Sequence, residues 1–379
     1  MKPFIKWAGG KEKELPIILD NMPKSYERYI EPFVGGGAVY FALNNPNSII
    51  NDKSDELISL YKFIQSGNKE FLTKLDELFH NWTLLEKIIE NNSKELLDLY
   101  KNYCNETIKD KNLKIKYNDK ICEFVLHHSE EFNGILNNNF NIRIDNFIHE
   151  IQKNLLSKIN RMCKISKARG SLTDRNILEN MEAALKSAFY MHFRYLYNNK
   201  DELNISQEFA SAMFYFIREY CYASMFRYNK QGKFNVPYGG ISYNRKDFNK
   251  KIDYVKSDTI RKYMNKTTIY NMDFETFCNN INLTEKDFIF LDPPYDTEFS
   301  TYAKNDFSKN DQIRLANYLK TTKAKFMLVI KNTDFIYNLY NVKGFYIKSF
   351  DKKYLVSFQN RNNKNVEHLI ITNYDMEEK

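Results

Sequence analysis

The chain has 379 residues, enough for a full hydrophobic core and two structural units, and 56 Lys and Arg against 48 Asp and Glu leave a net charge of +8, which suits a polyanionic partner without requiring one. No apolar run approaches membrane-spanning length and the amino terminus lacks the apolar core of a signal peptide, which argues against a membrane or exported protein and for a cytoplasmic one. Cys104, Cys122, Cys163, Cys221 and Cys278 fall at irregular spacings without a CxxC pair, which argues against a zinc site or a disulfide framework.

Residues 29 to 52 read as strand, glycine turn, helix, strand. Tyr29 to Phe33 enters Gly35-Gly36-Gly37, Ala38 to Leu43 has helical character, and Ser48-Ile49-Ile50 ends at Asn51-Asp52. That is the opening half of a doubly wound sheet. Glycine at such a turn permits positive φ and close approach of a ligand to the backbone, and the following helix adds its amino-terminal dipole. Asp52 stands 17 residues after Gly35, near the spacing at which an acid meets a ribose hydroxyl in nucleoside-binding α/β folds. Nicotinamide and S-adenosylmethionine folds both use such an acid, so the turn by itself leaves the two open.

From about residue 55 to 262 the pattern is mainly helical. Met181, Ala184, Leu185, Ala188, Phe189, Phe193 and Leu196 mark one helix face, and Phe209, Met213, Phe216, Ile217 and Tyr220 mark another. Further helices are expected between Asn91 and Asn160, where the chain is polar with scattered Leu, Ile and Phe. Arg227 to Tyr238 reads as a hairpin with Lys230-Gln231-Gly232 at its tip, able to enter a groove, and Arg227, Lys230 and Lys233 are available for phosphates.

The second half of the sheet follows the insertion. Thr268 to Tyr270 is a short strand leading to Asp273-Phe274, and the apolar run Phe288 to Leu291 is a buried strand closed by Asp292-Pro293-Pro294-Tyr295. Open α/β sheets bind ligands at the carboxyl ends of their strands, which places this tetrapeptide in the active site. Two prolines remove two donors and fix φ, so the carbonyls of Asp292 and Pro293 become rigid acceptors. An acceptor pair beside an aromatic plate is what an exocyclic amino group on a flat base requires. A helix from about Lys309 to Lys320, a buried strand from Lys325 to Ile330, and an antiparallel edge pair from Phe345 to Phe350 and Val366 to Asn373 complete the sheet. The connection from Gln359 to Asn365 reads as a loop near the site or near nucleic acid.

Phe4 to Lys11, Tyr29 to Ala38, Asn51-Asp52, Arg227 to Gly239, the tetrapeptide at Asp292 and Val366 to Tyr374 occur together and in one order. By these blocks the chain resembles the Dam-type, D12 class DNA adenine-N6 methyltransferases. The resemblance covers roughly the first sixty and last hundred and fifty residues. It implies a seven-stranded, doubly wound methyltransferase sheet formed by residues 1–54 and 263–379, with 55–262 as a helical target-recognition insertion. S-adenosylmethionine is the implied methyl donor, contacted by Trp7, Lys11, Asp52 and Asp292, with Phe33, Gly35 and Gly37 under its methionine portion and Asp273 and Phe274 beside its adenine. Lys11 suits the methionine carboxylate, and Trp7 offers a π face to the sulfonium. Asp292 and the Pro293 carbonyl, held by Pro294, would accept the two amino hydrogens of an adenine flipped out of duplex DNA, and Tyr295 would stack on it. Lys6, Arg227, Asn229, Lys230, Gln231 and Lys233 would contact DNA. No metal is implied and a bacterial or phage origin is; a role in restriction beside a cognate restriction endonuclease, in replication control or in a phage stays open.

Relatives that methylate GATC carry arginine where this chain has Lys230-Gln231, and Gln reads adenine where Arg favours guanine, so the recognised sequence need not be GATC. Cytosine-N4 methylation uses the same acceptors, usually with Ser in place of Asp292. RNA methylation remains open on the active-site residues alone. A nicotinamide oxidoreductase would leave Asp292 to Tyr295 unexplained. A non-catalytic nucleic-acid-binding protein would leave the intact acceptors unexplained.

Overall fold

The structure, a computed structural model, describes residues 1–106, 112–135, 140–225, 227–294, 307–353 and 365–377. Most of the expected loop from Gln359 to Asn365 lies outside them. In chain order the elements are α1 (Leu15–Asp20), β1 (Arg28–Glu31), α2 (Ala38–Leu43), β2 (Ser48–Asn51), α3 (Asp55–Ser66), α4 (Lys69–Asn91), α5 (Ser93–Glu106), α6 (Leu113–His127), α7 (Ser129–Ile135), α8 (Ile144–Arg169), α9 (Asp174–Asn198) and α10 (Gln207–Tyr220). Then come α11 (Asn249–Lys256), α12 (Asp258–Met264), β3 (Thr267–Tyr270), α13 (Phe274–Asn280), β4 (Asp287–Leu291), α14 (Lys309–Thr321), β5 (Lys325–Lys331), α15 (Asp334–Tyr340), β6 (Tyr346–Lys353) and β7 (Asn365–Thr372). They form two compact units. One holds Met1–Asn68, Phe226–Gly232 and Tyr254–Lys379; the other holds Lys69–Met225 and Lys233–Asp253.

The first unit is built on a seven-stranded sheet of order β3-β2-β1-β4-β5-β7-β6. Strands β1 to β5 run parallel, and β7 pairs antiparallel with both β5 and β6. The apolar runs explain this arrangement. Every residue of β4 is buried, as a central parallel strand covered on both faces requires. Ile30 and Leu328 join Phe277, Leu315 and Ile371 in the core of one face. Phe4, Phe41 and Tyr61 meet edge to face or stacked in another buried cluster. Arg28 fixes the register of β1 against β4 by donating from Nε and Nη2 to the two oxygens of Asp287, at 2.7 and 2.6 Å.

Strand order reverses at β1, which has β2 on one side and β4 on the other. This is the switch point at which open α/β sheets bind ligands. The glycine turn after β1, Asp52 after β2 and Asp292 after β4 all stand at that edge.

The second unit is helical, with one long helix in each of the two stretches that the apolar spacing marked. Thr173 starts α9 by accepting from the Asn176 N–H, and Ser206 starts α10 by accepting from that of Phe209. Trp82 of α4 lies at its centre, in ring contact with Phe189, Phe216, Tyr220 and Tyr238. Lys186 is fully buried there and is paired with Glu86 and Glu182 at 2.5 and 2.7 Å.

Candidate active site and DNA-contacting turn

The turn after β1 is held from three sides. Val34 donates its N–H to the Asn51 carbonyl at 2.9 Å, Gly37 donates to Val34 at 2.7 Å, and Gly35 donates to Oδ2 of Asp52 at 3.0 Å. Gly35 and Gly37 have φ of 48° and 72°, a region that L side chains rarely enter. A Cβ on Gly35 would stand 2.8 Å from Cδ1 of Trp7, and one on Gly37 would stand 2.7 Å from the Tyr61 hydroxyl. The close approach expected of a ligand is thus made, at these two atoms, by Trp7 and Tyr61 themselves. Trp7 is half-buried and Lys6 beside it is exposed.

Asp52 is half-buried and uses both oxygens on backbone, since Oδ1 also accepts from the Ser54 N–H at 2.9 Å. Burial raises its pKa and these N–H groups only partly offset the rise. Asn51, 1% exposed, ties neighbouring strand ends together. Its Nδ2 donates to the carbonyls of Pro32 and Met272, and its Oδ1 accepts from the Met272 N–H, all at 3.0 Å.

Lys11 and Asp292 form the centre of the site. Lys11 is only 2% exposed, and its ammonium lies 2.5 Å from Asp292 and 3.1 Å from the Gly9 carbonyl. The lysine expected to meet a ligand carboxylate is therefore joined to a carboxylate of the chain. Pro293 is buried and Pro294 exposed. Among the described residues the Pro293 carbonyl accepts no hydrogen bond, whereas the Pro294 carbonyl accepts one at 3.1 Å from the fully buried Gln312. Tyr295 lies outside the described residues.

At the end of β3, Asp273 caps α13 by accepting from the Glu275 N–H. Arg314 of α14 donates to Asp273 at 2.7 Å and to Glu275 at 2.8 Å, and its guanidinium lies 4.9 Å from the centre of the Phe274 ring. Phe274 packs in turn on Phe33 and Phe307, with centroids 5.5 Å away in each case. Sequence reasoning missed Arg314, Gln312 and the reach of Asn51. Their partners are distant in the chain, and no local spacing signals them.

In the block from Arg227 to Tyr238, Lys230 and Gln231 occupy a tight turn. Gln231 donates its N–H to Oδ1 of Asn229 at 3.0 Å, and Gly232, with φ of 72°, donates to the Asn229 carbonyl at 2.9 Å. Arg227, Asn229, Lys230 and Gln231 are exposed. Lys233 is half-buried and donates to Asn199 Oδ1 at 2.7 Å. The chain after the turn is held by side chains of α9 rather than by a long strand ladder. Asn198 accepts from the Phe234 N–H at 2.7 Å and donates to its carbonyl at 3.0 Å, while Tyr190 and Arg194 both donate to the Val236 carbonyl at 2.9 Å. Just before the turn, Ala223 and Ser224 take positive φ of 53° and 52°, and the buried Arg218 donates to the Ser224 and Met225 carbonyls. Among the described residues no cluster of three or more His, Cys, Asp or Glu is placed to hold a metal ion, and no helix is long and apolar enough to cross a membrane.

The seven-stranded mixed sheet with its covering helices is consistent with a methyltransferase fold. Over residues 7–175 and 126–356 the chain matches the D12 class N6 adenine-specific DNA methyltransferases, and it belongs to that family. It is 27% identical over 381 aligned positions to the Type II methyltransferase M.CviBI of Paramecium bursaria Chlorella virus NC1A, covering 99% of this chain and 100% of that one. It is 26% identical to the Type II methyltransferase M.MjaIII of Methanocaldococcus jannaschii, over 99% of each chain. It is 32% identical to the Retron Ec67 DNA adenine methylase of Escherichia coli, over 92% of this chain and 84% of that one.

Proposed function

We propose that the protein transfers the methyl of S-adenosylmethionine to N6 of an adenine flipped out of duplex DNA at a defined sequence. The observation that carries this reading is the Lys11–Asp292 pair, which sits at the carboxyl end of β4 beside a Pro293 carbonyl with no donor bonded to it among the described residues. The cofactor fits the residues present. The carboxylates of Asp52 and Asp292, at the carboxyl ends of β2 and β4, suit a ligand carrying cationic groups. Trp7, Phe33 and the turn would line the methionine side, Asp52 the ribose, and Asp273 with Phe274 the adenine.

S-adenosylmethionine, when bound, supplies a methyl group on a positively charged sulfur. Everything else falls to the chain. The amino nitrogen of adenine is a poor nucleophile because its lone pair is delocalised into the ring. Asp292 and the Pro293 carbonyl accept its two hydrogens, favour a pyramidal nitrogen and so return the lone pair to it as positive charge develops. Lys11 orients the Asp292 carboxylate and balances its charge. Tyr295 stacks on the extruded base. Extrusion is required because N6 inside a duplex cannot reach these acceptors.

Residues 55–262 act in this reading as the recognition insertion. Arg227 and Lys230 contact phosphates, with Lys6 and Lys233 as further basic contacts, while Asn229 and Gln231 face the bases. Lys230-Gln231 argues for a target other than GATC. The Type II names of two relatives support a role beside a cognate restriction endonuclease, and the cysteine pattern supports a cytoplasmic setting. Transfer of tritiated methyl groups to duplex DNA, followed by nucleoside analysis, tests the reaction. N6-methyladenine is the expected product; N4-methylcytosine alone, or no incorporation into any duplex, would overturn the reading. Methylome sequencing of a host expressing the protein would give the target sequence.

A further inference from the structure

Three carboxylates stand along neighbouring strand ends. Glu31 closes β1, Asp52 follows β2 and Asp292 follows β4, with β1 lying between the other two strands. Lys11 is paired with Asp292, and Asp52 is bonded to the N–H groups of Gly35 and Ser54. Glu31 is held differently. It is 3% exposed, forms no ion pair among the described residues, and accepts from the Tyr29 hydroxyl at 2.7 Å. Among the described residues the titratable groups facing it are Tyr29 on its own strand, Tyr40 from α2, Tyr61 from α3, Tyr263 from α12, and the carboxylates of Asp52 and Asp292. All are neutral or acidic. Burial first, then the charges of Asp292 and Asp52, push the Glu31 carboxyl well above the usual range, against the opposing effects of hydrogen bonds from the Tyr29 hydroxyl and the Tyr40 backbone.

We infer that Glu31 holds a proton in the free protein and gives it up to solvent when a sulfonium-bearing ligand binds, so that the site tells S-adenosylmethionine from S-adenosylhomocysteine by charge. The inference rests on the reading that S-adenosylmethionine is the methyl donor. Its physical basis is a charge count. Lys11 is paired with one carboxylate, Asp52 supplies a second, and an ionised Glu31, 3% exposed, would add a third negative charge while forming no ion pair among the described residues. The amino and carboxylate groups that both ligands share cancel, so only the sulfonium brings a net positive charge. Beside that charge an ionised Glu31 is favoured: its O–H bond breaks and the proton passes to buffer. Methyl transfer removes the charge, and Glu31 takes a proton back from solvent. The site then loses its electrostatic preference for what it holds, which favours release of the spent ligand.

Calorimetric titration of the full-length protein in two buffers of different ionisation enthalpy counts the protons exchanged. At about pH 6.5 the amino groups of both free ligands are largely protonated. Binding of S-adenosylmethionine should release up to about one proton more than binding of S-adenosylhomocysteine. The dissociation constant of the first relative to the second should rise up to about tenfold for each pH unit by which the medium falls below the Glu31 titration. Glu31→Gln keeps the size of the side chain and a partner for Tyr29, and should make the two proton counts equal and the ratio independent of pH. Equal counts in the unaltered protein would overturn the inference without any variant having to fold. A difference that survived in Glu31→Gln would overturn it as well. Failure of both ligands to bind would overturn the methyl-donor reading, and this inference with it.

Discussion

Replacing Asn51 with Ala should loosen the site from behind. The change deletes three hydrogen bonds of 3.0 Å made by a side chain that is 1% exposed. Each is worth about 1 kcal/mol net, and a fully buried group left unpaired costs about 1 to 3 kcal/mol. Only the Pro32 carbonyl bond is fully buried, the two to Met272 being partly so, and the sum is therefore about 2 to 4 kcal/mol. The loss should be local, because the bonds join the end of β1 to the loop after β3 rather than filling a core. Hydrogen exchange of the full-length protein reads it directly: the Met272 amide should exchange at least about thirtyfold faster, at about 1.4 kcal/mol per decade. Affinity for S-adenosylhomocysteine should fall at least about tenfold, because the glycine turn and the Asp273 loop lose their common tie. Met272 protection within about threefold of the unaltered protein, together with unchanged affinity, would refute the reasoning.

Other outcomes are as specific. Asp292→Ala should nearly abolish methyl transfer and, by leaving the buried Lys11 without this carboxylate, cost about 2 to 3 kcal/mol in chemical denaturation; substantial remaining activity would mean that the carboxylate role is misassigned. Gln231→Ala should relax discrimination at one base pair by about 1 to 3 kcal/mol, whereas Lys230→Ala should weaken all sites alike. Methylation rates on a panel of single-base-substituted duplexes at fixed salt separate the two, and unchanged rate ratios in Gln231→Ala would move recognition elsewhere in the insertion. Ala223→Gly should leave stability unchanged or raise it by up to about 1 kcal/mol, because φ of 53° is strained for alanine and not for glycine; a clear fall in thermal midpoint would contradict this.

Much of the sheet is legible because parallel strands buried on both faces leave unbroken apolar runs, such as Phe288 to Leu291 and Phe326 to Ile330. Turn residues punctuate those runs, so the positions of Gly35, Asp52 and Asp292 at strand ends follow from local pattern. Partnerships do not. That Lys11 would meet Asp292, 281 positions along the chain, depends on β4 lying beside β1 after a long insertion. Arg314 on Phe274 and Gln312 on Pro294 depend likewise on how α14 settles. Glu31 shows the same limit, since nothing in the Tyr29 to Phe33 run reveals that its carboxyl is sealed from water while Asp52 is only half-buried.

The clamp that α9 places on the chain after the turn has an evolutionary consequence. Asn198, Arg194 and Tyr190 hold Phe234 and Val236 by main-chain atoms alone in these bonds. Such a grip is blind to the side chains it holds, and it lies outside the residues that would read bases. If Asn229, Lys230 and Gln231 read the DNA as proposed, a lineage could exchange them, and with them the sequence being marked, while the hydrogen bonds to Phe234 and Val236 stay as they are. New specificities would then arise by substitution at a few exposed positions, with no need to rebuild the helices of the second unit.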